Sequence, residues 1–277
     1  MPFKSNPIVA VVCITVSLVV SANFARAQEV VLLNEDLDGW EVFTGVPHKS
    51  LASDDFPYPT AEKVTARKAK PIGLGDPLKI FNVEMEDGKP VLHISGKVYA
   101  GLTTLKSYSD YHLTFEYKWG EKKWEPRLEK KRDSGLLYHC TGKHGAFWNV
   151  WMRCLECQVQ ETDTGDLYTL AGTNGKNGTP ENPRESKKKT ANHEVEGWNR
   201  VDVFTLGDKS VFAVNGHVVN RVYDATEKSY DQKKGEDVKW ISLTAGKIQI
   251  QSEGAEIFYR DIRLNPITEL PTGDKIE

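Results

Sequence analysis

The sequence predicts an all-β fold, a two-sheet antiparallel sandwich of the jelly-roll type. It contains many short segments rich in β-branched and aromatic residues, several of which alternate between apolar and polar positions. Turn signals separate these segments, and no stretch repeats apolar residues with the 3.6-residue period of a helix. Because no helices alternate with the strands, a parallel sheet is not expected. Roughly 12 strands at this length suit two packed sheets.

The N-terminus has the three marks of a secretory signal peptide. Lys4 supplies a positive charge, residues 8–20 form an apolar run, and Ala25-Arg26-Ala27 provides a small-x-small cleavage site. The apolar run is shorter than the roughly 20 residues of a transmembrane helix. We expect cleavage after Ala27 and a secreted or periplasmic protein without stable membrane insertion. The alternative is an uncleaved N-terminal anchor.

Length and composition limit the function. Removal of residues 1–27 leaves about 250 residues, which suits a single β-sandwich domain over residues 28–277. The 36 basic and 39 acidic residues give a net charge of -3, so no basic face for a nucleic acid is expected. The seven tryptophans slightly favour a carbohydrate ligand, since exposed aromatic rings can stack on sugars.

The strands are assigned in order along the chain. The clearest alternation, between Leu113 and Trp119, places four large apolar residues on one face. Asn215-Gly216, between two apolar runs, is the strongest hairpin signal. The predicted strands are 30–33, 80–84, 91–95, 102–104, 111–119, 135–140, 155–160, 200–206, 210–214, 217–223, 247–251 and 256–264.

Three segments rich in charged or turn-forming residues are predicted as solvated surface loops: 44–77, 120–132 and 172–192. Loops of this length can also border a functional site.

Three cysteines follow the leader, so at least one thiol is expected to be unpaired. Cys154 and Cys157 point to opposite faces of a strand, so no bond between them is expected. Their C-x-x-C spacing lacks the second ligand pair or βαβ context of a zinc or redox site. Because export permits disulfides, Cys140 and Cys154 could pair, which would leave Cys157 on the core face.

The strand at 155–160 has one apolar and one polar face. Its apolar face is expected to enter the core. The polar face carries Glu156, Gln158 and Gln160. It is either a solvated sheet surface or a sugar-binding concavity, in which carboxylates and amides bind hydroxyls. Trp148 and Trp151, which lie close in sequence, favour the second interpretation.

His139 on the neighbouring strand is the second candidate for chemistry. A lone strand histidine is usually structural, but opposite Glu156 it could be a base, an acid or a metal ligand. With Glu161 the pair would suit a hard divalent cation, calcium or a similar ion, although no fixed metal-binding spacing is present. The identity of any metal therefore stays open. Known nucleophile-elbow, phosphate-loop and H-E-x-x-H motifs are absent from the sequence.

The C-terminal segment predicts a hairpin. Ile248 and Ile250 should point inward, and Gln249 and Gln251 outward. Arg260 on the second strand is either part of a packed ion pair or a substrate contact.

Taken in order, these motifs resemble the 3-keto-disaccharide hydrolase domain family, long described as a domain of unknown function. The chain differs from the pattern at Asp133, where asparagine is common, and at Glu253, where some members have histidine. The matching segments are 33–40, 101–104 with 108–113, 133–136, 155–159, 164–168, 197–199 and 246–264.

The resemblance implies a concanavalin-like β-sandwich that acts on oxidised sugars. A ketone at C3 acidifies the C2 proton, a base removes it, the glycosidic oxygen leaves C1 and water later adds. We expect Glu156 or His139 to be the base, with Gln158, Arg260 or a divalent metal stabilising the enolate. The expected substrate contacts are Gln158, Trp148, Trp151, Tyr168, Glu253, Arg260 and Glu161.

Two other functions use the same sequence features. A non-catalytic carbohydrate-binding module would need the aromatic and amide face but no base. In a structural envelope protein, that polar face would be solvated and would bind no ligand. Sandwich folds host many functions, so the fold does not choose between them.

Overall fold

A computed structural model describes residue 1 and residues 28–176, 185–186, 192–231 and 235–276. Residues 2–27 of the predicted signal peptide, and part of the predicted loop at 172–192, lie outside the described residues. In the described part of the chain, no helix is long and apolar enough to cross a membrane.

The described residues form β-strands and one 3-10 helix, Lys49–Leu51. The strands are β1 (Val30–Val31), β2 (Trp40–Thr44), β3 (Gly73–Leu74), β4 (Phe81–Glu86), β5 (Lys89–Ile94), β6 (Ala100–Thr104), β7 (Tyr111–Lys123), β8 (Asp133–Thr141), β9 (Arg153–Gln160), β10 (Leu167–Leu170), β11 (Thr173–Lys176), β12 (Glu185–Ser186), β13 (Asn199–Leu206), β14 (Lys209–Val214), β15 (His217–Lys228), β16 (Trp240–Ser242), β17 (Lys247–Ser252) and β18 (Ala255–Pro266). All twelve predicted strands are present.

The strands form two antiparallel sheets, which confirms the predicted all-β sandwich. The front sheet has the order β12-β10-β9-β8-β17-β6-β2-β3. The back sheet has the order β11-β15-β14-β13-β7-β18-β5-β4, with β1 paired to β18 and β16 paired to β15. Each sheet therefore combines segments that are distant in sequence.

The main core lies between the sheets, as the alternation predicts. Every second residue of a strand that faces the other sheet is buried, because side chains alternate between the two faces. From the back sheet come Leu113, Phe115 and Tyr117, and from the front sheet Leu155, Cys157 and Val159. Ile248 and Ile250 join them, as predicted for the C-terminal hairpin.

A second apolar cluster covers part of the outer face of the front sheet. Trp151 and Leu137 are buried in it together with Val46 and Val64. The last two belong to the 44–77 segment, which was predicted as a solvated loop, and this prediction is wrong for its buried residues. A few apolar side chains hold a mainly polar segment down when the sheet beneath it is apolar. This segment forms one wall above the front sheet.

The turn at Asn215-Gly216 confirms the predicted hairpin. It joins β14 to β15, with φ of 49° at Asn215 and 81° at Gly216. Two successive positive φ angles are those of a type I′ turn, which asparagine followed by glycine adopts at little steric cost. The local sequence is sufficient to specify this connection.

Candidate active site

A cavity of about 800 Å³ opens on the outer face of the front sheet. Its volume falls in the range of small-molecule sites, roughly 300–1,000 Å³. Its floor is formed by β8, β9, β10 and β17. The polar side chains on this floor are Asp133, Glu156, Gln158, Gln160, Tyr168 and Gln251.

Strand alternation on β9 delivers the polar side chains to the cavity. Because the intervening residues of β9 enter the core, Glu156, Gln158 and Gln160 all reach the outer face, as predicted. Gly135 on β8 provides the room they need. A Cβ atom there would collide with the side-chain oxygens of Glu156 and Gln251. This glycine is required for the close approach of its neighbours rather than for a special backbone angle.

Three carboxyl groups and one guanidinium lie at one end of the cavity, and we call them the carboxyl cluster: Asp133, Glu156, Glu253 and Arg127. Arg127 forms an ion pair with Asp133, and its Nη1 lies 3.3 Å from Oε1 of Glu253. Gln160 Nε2 donates to Oδ2 of Asp133 at 2.6 Å. Little of the cluster is exposed to solvent: only 13% of the Arg127 side chain is accessible.

Arg127 was placed by sequence in the solvated loop at 120–132, and that prediction is wrong for this residue. A short turn carries it, in which the backbone N–H of Arg127 donates to the carbonyl oxygen of Trp124 at 2.8 Å. The turn is attached to the β17–β18 connection, where the Trp124 N–H donates to the Gly254 carbonyl at 2.9 Å. The guanidinium is buried because it faces two buried carboxylates, which is the usual condition for burying a charge.

Burial shifts the protonation of the carboxyl cluster. It raises the pKa of Asp133 to about 7, against the opposing attraction of Arg127 and the hydrogen bond from Gln160. It raises the pKa of Glu156 well above its usual range, and the charge of Asp133 adds to the effect. The pKa of Glu253 is raised for the same two reasons. Groups this close titrate together, so the cluster holds at least one proton near neutral pH.

Aromatic side chains border the cavity on the side of the 147–151 turn. Trp148 is 44% exposed and stacks on Phe147, with ring centroids 4.8 Å apart. Trp151 is buried and stacks on Tyr99 at 6.0 Å. Trp148 therefore presents an open ring face, whereas Trp151 supports the wall. Tyr168 also lines the cavity, opposite Glu156 on the neighbouring strand.

The structure does not bring His139 to the cavity. Its ring is buried and packs edge-on against Tyr111 of the back sheet, with centroids 6.2 Å apart. Within the described residues neither ring nitrogen has a hydrogen-bond partner, and burial lowers the pKa of His139 to about 4. A bulge between Tyr138 and Thr141 turns the ring inward, which strand alternation alone would not predict. The location of His139 thus gives no support to the predicted pairing with Glu156.

Arg260 and Glu161 also lie away from the cavity lining. Arg260 sits on the outer face of the back sheet, where its Nε donates to Glu116 at 2.6 Å and its guanidinium lies 4.0 Å from the Trp198 ring centroid. Glu161 accepts from Arg132 at 2.8 Å at the end of β9. Of the two interpretations left open for Arg260, the packed ion pair agrees with its contacts.

Several cavity residues were not predicted as site residues: Arg127, Asp133, Lys228, Trp240 and Gln251. Two of them could have been found from the sequence. Asp133 departs from a family motif, and Gln251 is predicted to point outward from its strand. Nothing in the local sequence marks Arg127, Lys228 or Trp240, because tertiary contacts bring them to the cavity.

The three described cysteines are free thiols, and all are buried. Cys157 lies in the core between the sheets and Cys154 in the outer apolar cluster, so the predicted opposite orientation is confirmed. Cys140 joins Cys154 in the outer cluster, on the adjacent strand. Cys140 and Cys154, the pair that was considered for a disulfide, are both free thiols.

The carboxyl cluster does not suit a divalent cation. Carboxylate and amide oxygens are the correct donors for calcium. However, the guanidinium of Arg127 already contacts Asp133 and Glu253, and a metal ion bound between them would face this fixed positive charge. No group of three or more potential ligands with metal-binding geometry occurs among the described residues.

The family profile of the 3-keto-alpha-glucoside-1,2-lyase-like domain matches residues 28–265. The chain belongs to this family. Membership confirms the resemblance suggested by the sequence motifs. It also assigns the protein a carbohydrate-related, hydrolase-like character. No curated protein matches the chain in sequence.

Solved structures similar to this family member have low sequence identity. A candidate glycosyl hydrolase from Parabacteroides distasonis has 16% identity and a TM-score of 0.47, with 87% of this chain and 94% of that chain covered. A protein of unknown function with a galectin-like fold from Bacillus subtilis has 11% identity and a TM-score of 0.43, covering 85% and 92%. The carbohydrate-binding module CBM66 from Bacillus subtilis has 9% identity and a TM-score of 0.42, covering 67% and 91%.

Proposed function

We propose that this protein is an extracytoplasmic hydrolase or lyase that cleaves 3-keto-glycosides or 3-keto-disaccharides. The observation that carries the proposal is the carboxyl cluster inside the cavity of a chain from this family. Its carboxyls have raised pKa values, and one cation lies among them. An acid–base mechanism needs groups whose protonation is set by their surroundings in this way.

In the proposed reaction Glu156 acts as the proton carrier. Its carboxylate removes the C2 proton, and the electron pair moves to the C3 oxygen to form an enolate. The C1–O bond then breaks as a C1=C2 double bond forms and the C3 ketone returns. The leaving oxygen takes the proton from Glu156. Water later adds its oxygen to C1, and C2 regains a proton.

Glu156 suits this role because of where it lies. It lies on the floor of the cavity, with Gln158 two residues further along the same face. Burial makes its carboxylate a stronger base and its acid form a proton donor at neutral pH. Arg127 takes the electrostatic role for which Arg260 was considered, since it is the charged group in contact with the cluster.

Gln158 is proposed as a substrate contact. Its side-chain oxygen accepts from the backbone N–H of Val159 at 3.1 Å, which orients the amide. The amide nitrogen is then available for a sugar hydroxyl or the C3 oxygen. Trp148 would cover the sugar ring with its open face.

The substitution Glu156→Gln tests the proposal on a chromogenic 3-keto-glucoside. A positioned base contributes about 10²–10⁴-fold, and we expect a loss of kcat of that size. Glu161→Gln is the matched control, because Glu161 pairs with Arg132 outside the cavity. Turnover by Glu156→Gln at the wild-type rate would exclude Glu156 as the base. Added chelator is expected to leave the wild-type rate unchanged.

A carbohydrate-binding module is the second candidate, and the open face of Trp148 above a row of amides favours it. The same assay separates the two functions. Binding of the keto-glucoside or of an unmodified glucoside without release of the chromophore would support the module. Neither binding nor release would support a structural envelope protein.

A further inference from the structure

The cavity extends well beyond the carboxyl cluster. Asp133 pairs with Gln160 at one end of β9, and Thr141 pairs with Arg153 at the other. Gln160 and Arg153 are seven residues apart along β9, which corresponds to roughly 23 Å at about 3.3 Å per residue. The lining continues to this far end through Gly172, Lys228 and Trp240. One keto-sugar ring placed at Glu156 would leave that end of the cavity empty.

Arg153 fixes the structure of the far end. Its Nε donates to the Ala171 carbonyl at 3.0 Å, and its Nη1 donates to the Lys228 carbonyl at 2.7 Å. The guanidinium lies 4.1 Å from the Tyr230 ring centroid and pairs with Glu227 at 3.5 Å. Arg153 is therefore occupied in holding two backbone segments together, and it is not available to a ligand.

Lys228 differs from Arg127, which also lines the cavity, and from Arg153, which does not line it. Arg127 and Arg153 both form ion pairs with carboxylates. Within the described residues, no carboxylate lies within 4.0 Å of the Lys228 ammonium. The aliphatic stem packs near Gly172, where a Cβ atom would lie 3.2 Å from Cδ of Lys228. The backbone N–H of Lys228 donates to the Gly172 carbonyl at 2.9 Å.

Trp240 provides an apolar surface next to this ammonium. It pairs with Lys228 across the β15–β16 ladder, and its ring centroid lies 5.8 Å from Lys228 Nζ. The Trp240 side chain is 41% exposed and lines the cavity. The ammonium thus lies over one face of a partly exposed ring and has no carboxylate partner among the described residues. Such a pair can bind a flat ring that carries a negative group.

We propose that Lys228 and Trp240 form a subsite for a leaving group that carries a carboxylate. This inference rests on the proposed function, because the keto-sugar must occupy the Glu156 end. Glu156 and Arg153 are three residues apart on β9, about 10 Å at the usual strand rise. Because Arg153 donates to the Lys228 carbonyl, this spacing separates Glu156 from the Lys228 strand by about the length of one ring and its substituent. The ring lies against Trp240, and the carboxylate pairs with the ammonium.

The charges in the cavity favour a leaving group with an anionic substituent over an uncharged leaving group. Arg127 is already paired with Asp133 and Glu253, so an anionic substituent meets a cation without a carboxylate partner among the described residues only at the far end. The positive charge of Lys228 then orients the substrate, with the keto-sugar toward Glu156 and the acid group away from it.

The experiment measures binding of two unreactive glucosides, phenyl glucoside and 4-carboxyphenyl glucoside, by calorimetry at low salt. Neither has a C3 ketone, so binding is read without catalysis. We expect the wild type to bind the carboxyl compound about tenfold more tightly, a preference that salt weakens. Lys228→Met should remove the preference and Lys228→Arg should keep it. Trp240→Leu should weaken both ligands.

Lys239→Met is the matched control, since Lys239 is an exposed lysine of the same hairpin that does not line the cavity. It should behave as the wild type. Equal affinities in the wild type, or a preference that survives Lys228→Met, would overturn the subsite.

Turnover of the 3-keto derivatives separates this proposal from the proposed function. Release of phenol from the keto-glucoside together with equal binding of the two unreactive glucosides overturns the subsite alone. A Lys228-dependent preference without any release overturns the proposed function and retains an anion-binding subsite.

Discussion

Arg127 compensates the buried charge of the candidate site. Its guanidinium contacts Asp133 and Glu253, which are buried, and only 13% of its own side chain is exposed. Removing one partner of a buried ion pair leaves the other charge uncompensated, which typically costs about 3–5 kcal/mol. We therefore expect Arg127→Met to lower the free energy of unfolding by this order.

The loss of unfolding free energy in Arg127→Met should depend on pH. Without Arg127 the pKa of Asp133 rises further above its present value of about 7. The folded state then holds its proton to higher pH than the unfolded state does, so stability falls as pH rises. Urea unfolding should show a larger loss at pH 8 than at pH 5. Arg132→Met, which breaks a partly exposed pair with Glu161, should change stability by only about 0.5 kcal/mol. A pH-independent loss in Arg127→Met would contradict this account.

His139 gives a pH dependence of the opposite sign. Burial lowers its pKa to about 4 in the folded protein, whereas the unfolded chain titrates near 6.5. The unfolded state therefore binds the extra proton first, and His139 costs the fold stability as pH falls from about 6.5 to 4.

His139→Asn should remove this contribution while keeping the positive φ of 50°, which asparagine tolerates. The slope of unfolding free energy against pH, measured between pH 4 and 6.5, tests the prediction. An unchanged slope in the variant would show that His139 binds its proton equally well in the folded and unfolded states, which would contradict the lowered pKa.

At the scale of single residues, the sequence predicts which face of a strand a side chain occupies better than it predicts which residues that side chain contacts. The alternation along β9 correctly places Glu156, Gln158 and Gln160 on one face. It gives no information about Arg127, because that contact depends on a turn meeting the β17–β18 connection from another part of the chain. The inward ring of His139 depends on a bulge, which also has no local sequence signal.

Among the elements, β8 has a specific requirement at Gly135. A Cβ atom there would meet the side chains of Glu156 and Gln251, which lie directly over the strand. We expect Gly135→Ala to displace Glu156, to reduce kcat on a 3-keto-glucoside and to destabilise the fold by about 1–3 kcal/mol through overpacking. Gly273→Ala is the control, since its nearest non-neighbouring atom would lie 3.5 Å away. Unchanged kcat in Gly135→Ala would show that the cavity floor can rearrange.

The elements that sequence reasoning missed share a physical cause. Six strands were not predicted, and each has only two to five residues: β2, β3, β10, β11, β12 and β16. Each is held as a strand mainly by its neighbours in the sheet rather than by its own pattern. The twelve predicted strands, in contrast, contribute most of the core. The short strands β10 and β16 nevertheless border the cavity, so these functional segments are harder to predict than core segments.

For the molecule as a whole, export remains a prediction from the N-terminal sequence. Expression of the full chain in a bacterium should yield an extracytoplasmic protein that begins at Gln28, because the cleavage site ends at Ala27. Intact-mass measurement of the exported protein checks this. A variant with Ala25→Leu and Ala27→Leu should remain unprocessed. Recovery of the wild-type protein with residues 1–27 attached would favour the uncleaved anchor.

The positions of β17 and β18 within the two sheets determine when the chain can fold during its synthesis. β17 lies between β8 and β6 in the front sheet, and β18 between β7 and β5 in the back sheet. Pairings such as Ala255 with Lys123 and Pro266 with Tyr111 join segments far apart in sequence. Neither sheet can close until residues 247–266 have left the ribosome, and such non-local pairing is slow. Synthesis thus leaves a period in which the polypeptide is still unfolded, the state in which it could thread through a narrow membrane channel.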